Sequence, residues 1–108
     1  MNFQETISVV ATESAYIVLP EKLNSLPISL CVTPGLGATA SIEVSCDDFN
    51  LLNSNPSDAD FVLVEDNITV GKVIAVSTPI TAVKLTSAGA ASTLSVRAFD
   101  IEHVNRHI

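Results

Sequence analysis

The chain has 108 residues, 47% of them hydrophobic and 16% charged, and a formal net charge of −7. That length suits one domain around one core, and that composition excludes intrinsic disorder. Five Lys and Arg stand against twelve Asp and Glu and form no basic stripe, which weighs against binding to nucleic acid or to anionic membranes.

The opening "MNFQETISVVATESAYIVLP" has no basic n-region and is interrupted by Glu5 and Glu13, so it does not read as a signal peptide. No apolar run approaches the roughly 18 residues of a membrane-spanning helix. Synthesis in a cytoplasm is the expectation. "TISVVA" (6–11) and "AYIVLP" (15–20) are short apolar runs with "TES" turning between them. "EKLNSLP" (21–27) reads as a loop that crosses from one sheet to another.

"ISLCVT" (28–33) and "SIEVSC" (41–46) alternate cleanly, and Pro34, Gly35 and Gly37 punctuate the stretch between them. Pairing Val32 with Ile42 and Leu30 with Val44 predicts a hairpin with both apolar faces on one side. In that register Cys46 shares the Ile42/Val44 face while Cys31 points away from Leu30 and Val32. The two cysteines are then about 10 Å out of step at roughly 3.4 Å per residue, beyond the roughly 7 Å Cα separation of a disulfide. Two free thiols in a reducing compartment are expected, with Cys46 near the core.

"DDFNLLNSNPSDAD" (47–60) is the longest interruption, in which Phe49, Leu51 and Leu52 form one helical turn or plug the edge of the core. "FVLVE" (61–65) resumes the strands, "DN" (66–67) turns, and "ITVGKVIAVS" (68–77) follows with Gly71 as a possible bulge. The last hairpin sets Val83 and Leu85 inward on one strand and Leu94, Val96 and Ala98 inward on the other, around the turn "SAGAAS". The segment 102–108 is a short polar tail. The whole reads as a single all-β domain over 1–108, an antiparallel β-sandwich or small barrel of about eight short strands.

No side-chain constellation names a reaction, so no catalytic residue, metal ligand or cofactor is assigned. His103 and His107 are spaced i, i+4, but the tail supplies no further ligand at metal-binding spacing. Asp47–Asp48, Asp58–Asp60 and Glu65–Asp66 lack the spacing of a calcium loop and read as solvated turn residues. "GLG" (35–37) has neither the third glycine nor the following helix of a dinucleotide site. Asn67-Ile68-Thr69 matches a glycosylation acceptor but reads as a turn. Aromatic residues are sparse and Trp is absent, which leaves little for a sugar-stacking platform. Phe99 and Ile101 lie on the outward face of the last strand beside Arg97. Three readings stay open: cover by the N-terminal segment, contact with another subunit, or a bulge that flips the register. Phe99, Ile101 and Arg97 are therefore the candidate interface.

Over residues 39–99 the chain resembles small bacteriophage virion proteins. In these a strand with small and acidic residues precedes a "P-x-T-A-(V/L)-(K/R)-(L/V)-T" strand, a Gly/Ala/Ser turn and a final "T-x-x-V" strand. The matching residues are Pro79, Thr81, Ala82, Val83, Lys84, Leu85, Thr86, Gly89, Thr93 and Val96. The Cys pair and the tail "EHVNRHI" fall outside the pattern. The resemblance implies a non-enzymatic structural component of the particle: a capsid decoration, head fibre or tail accessory protein. It implies assembly in the host cytoplasm, residence in the virion, a homo-oligomer with a trimer favoured, and phage capsid or tail proteins as partners. The competing expectation is a soluble binding module that recognises sugar or peptide through its loops, the segment 47–60 above all.

Overall fold

The computed structural model describes residues 3–20, 27–55, 58–76 and 79–98. Eight strands run in chain order: β1 (Phe3–Val9), β2 (Ser14–Val18), β3 (Ile28–Pro34), β4 (Thr39–Ser45), β5 (Val62–Ile68), β6 (Lys72–Val76), β7 (Ala82–Ala88) and β8 (Ser92–Ala98). One short helix, α1 (Phe49–Ser54), lies between β4 and β5. The strands form two four-stranded antiparallel sheets, β1-β8-β3-β6 and β2-β7-β4-β5. The protein is an all-β antiparallel sandwich.

Period-two alternation aims every second side chain at the opposing sheet. Leu30 and Val32 of β3 and Leu94 and Val96 of β8 meet Ile42 of β4 and Val83 and Leu85 of β7 in one buried cluster. Ile17 from β2, Ile68 from β5 and Ile80 before β7 belong to the same cluster. Within each sheet the inward residues are cross-strand partners, as in Leu30 with Val96 and Ile42 with Leu85. Truncating one of these large side chains to Ala removes its transfer energy and leaves a cavity, typically 2–5 kcal/mol.

The expected hairpins are replaced by arches. β3 and β4 lie in different sheets, and so do β7 and β8. Leu30, Val32 and Ile42 face inward as expected, but their partners differ: Val32 pairs with Leu94 and Lys72, and Ile42 pairs with Leu85 and Glu65. A turn of a few residues can either fold a strand back beside itself or carry it across the gap, and both paths bring the same apolar faces together. The turn expected at 66–67 is also displaced. Asp66 and Asn67 lie inside β5, and the chain crosses to the other sheet through 69–71. Gly71 sits in that crossing, whereas the irregular pairing falls in β5, whose register with β4 shifts twice. Asn67 has φ 55°, a conformation that Asn tolerates better than most residues.

Two arches dock on each other at one end of the sandwich. The Gly35 N–H donates to the Ala91 carbonyl at 2.8 Å, which ties the β3–β4 arch to the β7–β8 arch. Gly89 has φ +83°, and a Cβ there would lie 2.6 Å from the Gly37 carbonyl oxygen. Beneath this contact Ser87 is fully buried, with its hydroxyl 2.7 Å from that of Ser92. Gly37 also has positive φ, +81°, but its Cβ would meet nothing within 4 Å. Gly37→Ala should therefore cost only the left-handed backbone penalty, about 1–2 kcal/mol. Gly89→Ala carries the same penalty and a backbone collision besides, so it should be the more destabilising by at least ~1 kcal/mol. Urea unfolding of the two variants checks this, and equal losses would contradict the docked-arch account.

Candidate functional site

A sandwich of two open sheets has four edge strands: β1 and β2 on one side, β5 and β6 on the other. The two sides differ in chemistry. On the first, the exposed positions of β1 and β2 are polar: Gln4, Glu5, Thr6, Ser8 and Ser14. On the second, β5 exposes three consecutive apolar residues, Val62 at 67%, Leu63 at 54% and Val64 at 40%, and β6 exposes Val73 at 65%. Unpaired edge strands template further pairing, and proteins commonly blunt them with charge, bulges or cover.

The bulged pairing of β5 explains why three adjacent residues are exposed. Ile42 pairs with Glu65, yet the next residue, Glu43, pairs with Leu63, so Val64 has no partner across the ladder. Directly paired residues share a face. Glu65 therefore lies on the inward face with Ile42, Leu63 on the outward face with Glu43, and Val62 on the inward face with Val44. The inward face ends here because no further strand covers it, which leaves Val62 in the open gap between the sheets.

β6 obeys the same geometry. Lys72 and Ile74 pair with the core residues Val32 and Leu30 and face inward; Val73 pairs with Cys31 and faces outward. The inward Lys72 and Glu65 meet as an ion pair that bridges the two sheets across the open side. Both side chains remain partly exposed, at 46% and 33%. An ion pair of this kind typically contributes about 0.2–1 kcal/mol, so its principal effect is to set charge at a point where the core would otherwise be open.

On the outward face of the β2-β7-β4-β5 sheet, the segment that leaves α1 brings Phe61 against Tyr16, with ring centroids 5.3 Å apart. The Lys84 ammonium lies 5.8 Å from both ring centroids, within cation–π range. In α1, Leu52 is buried and the Asp48 side chain caps the first turn by accepting from the Asn50 N–H at 3.1 Å. The expected helical turn is present, and its buried Leu52 stands outside the core cluster between the sheets.

The remaining sequence candidates fall as follows. Cys31 and Cys46 are free, but Cys46 is exposed rather than near the core. β4 ends at Ser45, whose side chain is buried, and Cys46 follows it outward, donating to the Pro79 carbonyl at 3.3 Å. Cys31 is half-buried on the outward face of β3. Of the candidate interface, Arg97 is half-buried on β8 and donates from Nε to the Ser95 hydroxyl at 3.2 Å. Phe99 and Ile101 lie outside the described residues, as do His103 and His107. Among the described residues no group of three or more His, Cys, Asp or Glu could hold a metal ion, and no pocket is present. No helix among them is long and apolar enough to cross a membrane.

The apolar edge was missed in the sequence because "FVLVE" reads equally as a buried strand. Its signal is the breach of alternation: four consecutive apolar residues, Phe61 to Val64, with acidic residues after them.

No protein-family model matches the chain, and no curated protein is similar to it. A solved structure described as "Bacillus endospore appendages form a novel family of disulfide-linked pili" is similar at 11% identity and a TM-score of 0.46, over 91% of this chain and 86% of that one. A likeness that loose does not bear on function.

The thiol placement is directly testable. Under native conditions both cysteines should take up an alkylating reagent, Cys46 several-fold faster than Cys31, as read by peptide mass spectrometry over time. Faster labelling of Cys31 would contradict the outward turn after Ser45.

Proposed function

We propose that this chain is a non-enzymatic structural component of a bacteriophage particle, of the capsid decoration, head fibre or tail accessory kind. It acts by self-association and by contact with other virion proteins. The observation that carries self-association is the exposed run Val62-Leu63-Val64 on an edge strand, beside exposed Val73 on the neighbouring edge. A contiguous apolar patch on a sheet edge is a surface suited to another protein chain.

The bacteriophage setting rests on the resemblance over residues 39–99. Most of the residues that carry it serve the sandwich itself: Thr81, Ala82, Val83, Leu85 and Val96 are buried, and Gly89 holds the docked arches. The likeness is therefore one of scaffold, in keeping with a protein whose product is its own shape. The free cysteines accord with assembly in a reducing host cytoplasm.

Light scattering across a concentration series should return an oligomer, and the protein should co-sediment with phage particles from its source. A chain that remains monomeric and also stays in the supernatant with such particles would defeat the reading.

A further inference from the structure

We propose that the β5/β6 side is a two-fold interface with a second copy of this chain, in which β5 of each copy pairs antiparallel with β6 of the other. This deepens the preceding reading and rests on its self-association.

Exposed apolar surface first selects the side. The β1/β2 side exposes polar residues, with Glu5 among them, whereas the β5/β6 side exposes Val62, Leu63, Val64 and Val73. A head-to-tail contact would set an apolar edge against a polar one. An isologous contact sets like against like and closes.

Charge then selects the pairing. Two symmetric arrangements can join this side to itself. In the first, β5 meets β5 and β6 meets β6. Centred on Leu63 so that the apolar triplets match, it brings Asp60 of one copy level with Asp66 of the other, and like charges directly opposite are unfavourable. In the second, the two-fold axis runs parallel to the strands, and each β5 lies beside the partner's β6. Each acidic β5 then meets a strand that begins with Lys72, the cation of this side.

The two-fold axis also constrains the register of the second arrangement. A two-fold axis along the strands leaves every residue at its own level. The residues of the partner's β5 that oppose β6 are therefore those already level with β6 inside one chain. The Lys72–Glu65 ion pair sets these two residues at about the same level. Counting from it, and passing over unpaired Val64, Leu63 comes opposite Val73 and Val62 opposite Ile74. Both matches agree in face: Leu63 and Val73 point outward, and Val62 and Ile74 inward. The bulge in β5 keeps these faces in phase; without it an odd-numbered offset would set inward residues against outward ones. Strand direction agrees as well. β3 and β4 run opposite ways, β5 opposes β4 and β6 opposes β3, so β5 and β6 are antiparallel within one chain. Rotation about the strand axis preserves that relation across the interface.

In the dimer each Lys72 lies between its own Glu65 and the partner's, and the two sheets become two continuous eight-stranded sheets. Each copy contributes the seven residues of β5 and the five of β6. That is fewer than the roughly 20–30 residues a side of a standard interface, so the dimer should dissociate on dilution.

The test uses the full chain with Cys31→Ser and Cys46→Ser, carrying either Leu63→Cys or Val73→Cys. The two variants are refolded together and separately, then oxidised. The expected result is a disulfide-linked dimer from the mixture and none from either variant alone. Within one chain the two positions sit on different sheets, packed about 10 Å apart, beyond disulfide reach. Wild-type protein should run at twice 11.4 kDa at high concentration. Leu63→Lys and Val73→Lys should halve that mass while keeping the urea midpoint that the wild type shows at dilutions where it is itself monomeric, since both side chains are exposed. A cross-link from Leu63→Cys alone would overturn the proposal in favour of β5-to-β5 pairing. Wild-type oligomers with no cross-link from the mixture would overturn this interface and leave self-association standing. A monomer at every concentration up to the millimolar range would overturn the dimer, and co-sedimentation with particles would then decide the structural reading by itself.

Discussion

The contact that everything else requires is the burial of one sheet's inner face by the other's. Neither four-stranded sheet has a core of its own. Leu30, Val32, Leu94 and Val96 lose water only because Ile17, Ile42, Val83 and Leu85 stand opposite. Arches rather than hairpins follow naturally from that dependence. β1 to β2, β3 to β4, β5 to β6 and β7 to β8 each leave one sheet and enter the other, so every short connection brings together two faces that need each other. The turns are then forced to gather at the ends of the sandwich. Gly35 and Gly89 sit where two of them meet, and at both positions backbone approaches backbone too closely for a side chain.

How much of this was legible follows from what alternation encodes. A period of two states which face a residue occupies, so the strands, their number and the inner set Val83, Leu85, Leu94 and Val96 could be read directly. It is silent on partners, because a hairpin and an arch bury the same residues. Asp66-Asn67 was read as a turn from residue type. Those residues do hold an unusual backbone, φ 55° at Asn67, but they spend it on an irregular strand. Cys46 was placed by parity on the Ile42 face. Parity lapses where the strand ends, and at Ser45 the Thr81 N–H and hydroxyl both bond to the Ser45 carbonyl, at 2.8 and 3.0 Å. For the interface, alternation reads Phe99 and Ile101 as an outward apolar pair, and both lie outside the described residues. The apolar edge that the described residues display lies on β5, where an unbroken Val-Leu-Val carries no mark of inside or outside.

The four edges meet the hazard of an unpaired strand in different ways. β1 and β2 rely on polar side chains, and Thr6, Ser8 and Ser14 also bond to hydroxyls on the neighbouring strand. β6 turns Lys72 inward. β5 combines an inward Glu65, two register shifts and a positive-φ residue within seven positions. Inward charge and bulges are devices that keep an edge from pairing indiscriminately.

Yet β5 also bears the most apolar exposure of the four, and the two properties belong together. A bulge changes which partner registers are in phase, so it excludes flat, unbulged strands that would slide along a regular edge. The inward ion pair excludes any register that would set apolar residues against Lys72 and Glu65. What survives both filters is a strand with a matching phase and a compensating charge at the same level. The β6 of a second copy has both, because it is built against the same pair. On this view the irregularities of β5 narrow its partners instead of closing the edge. A surface that is apolar enough to bind and irregular enough to discriminate is what a subunit needs to assemble in one way and no other.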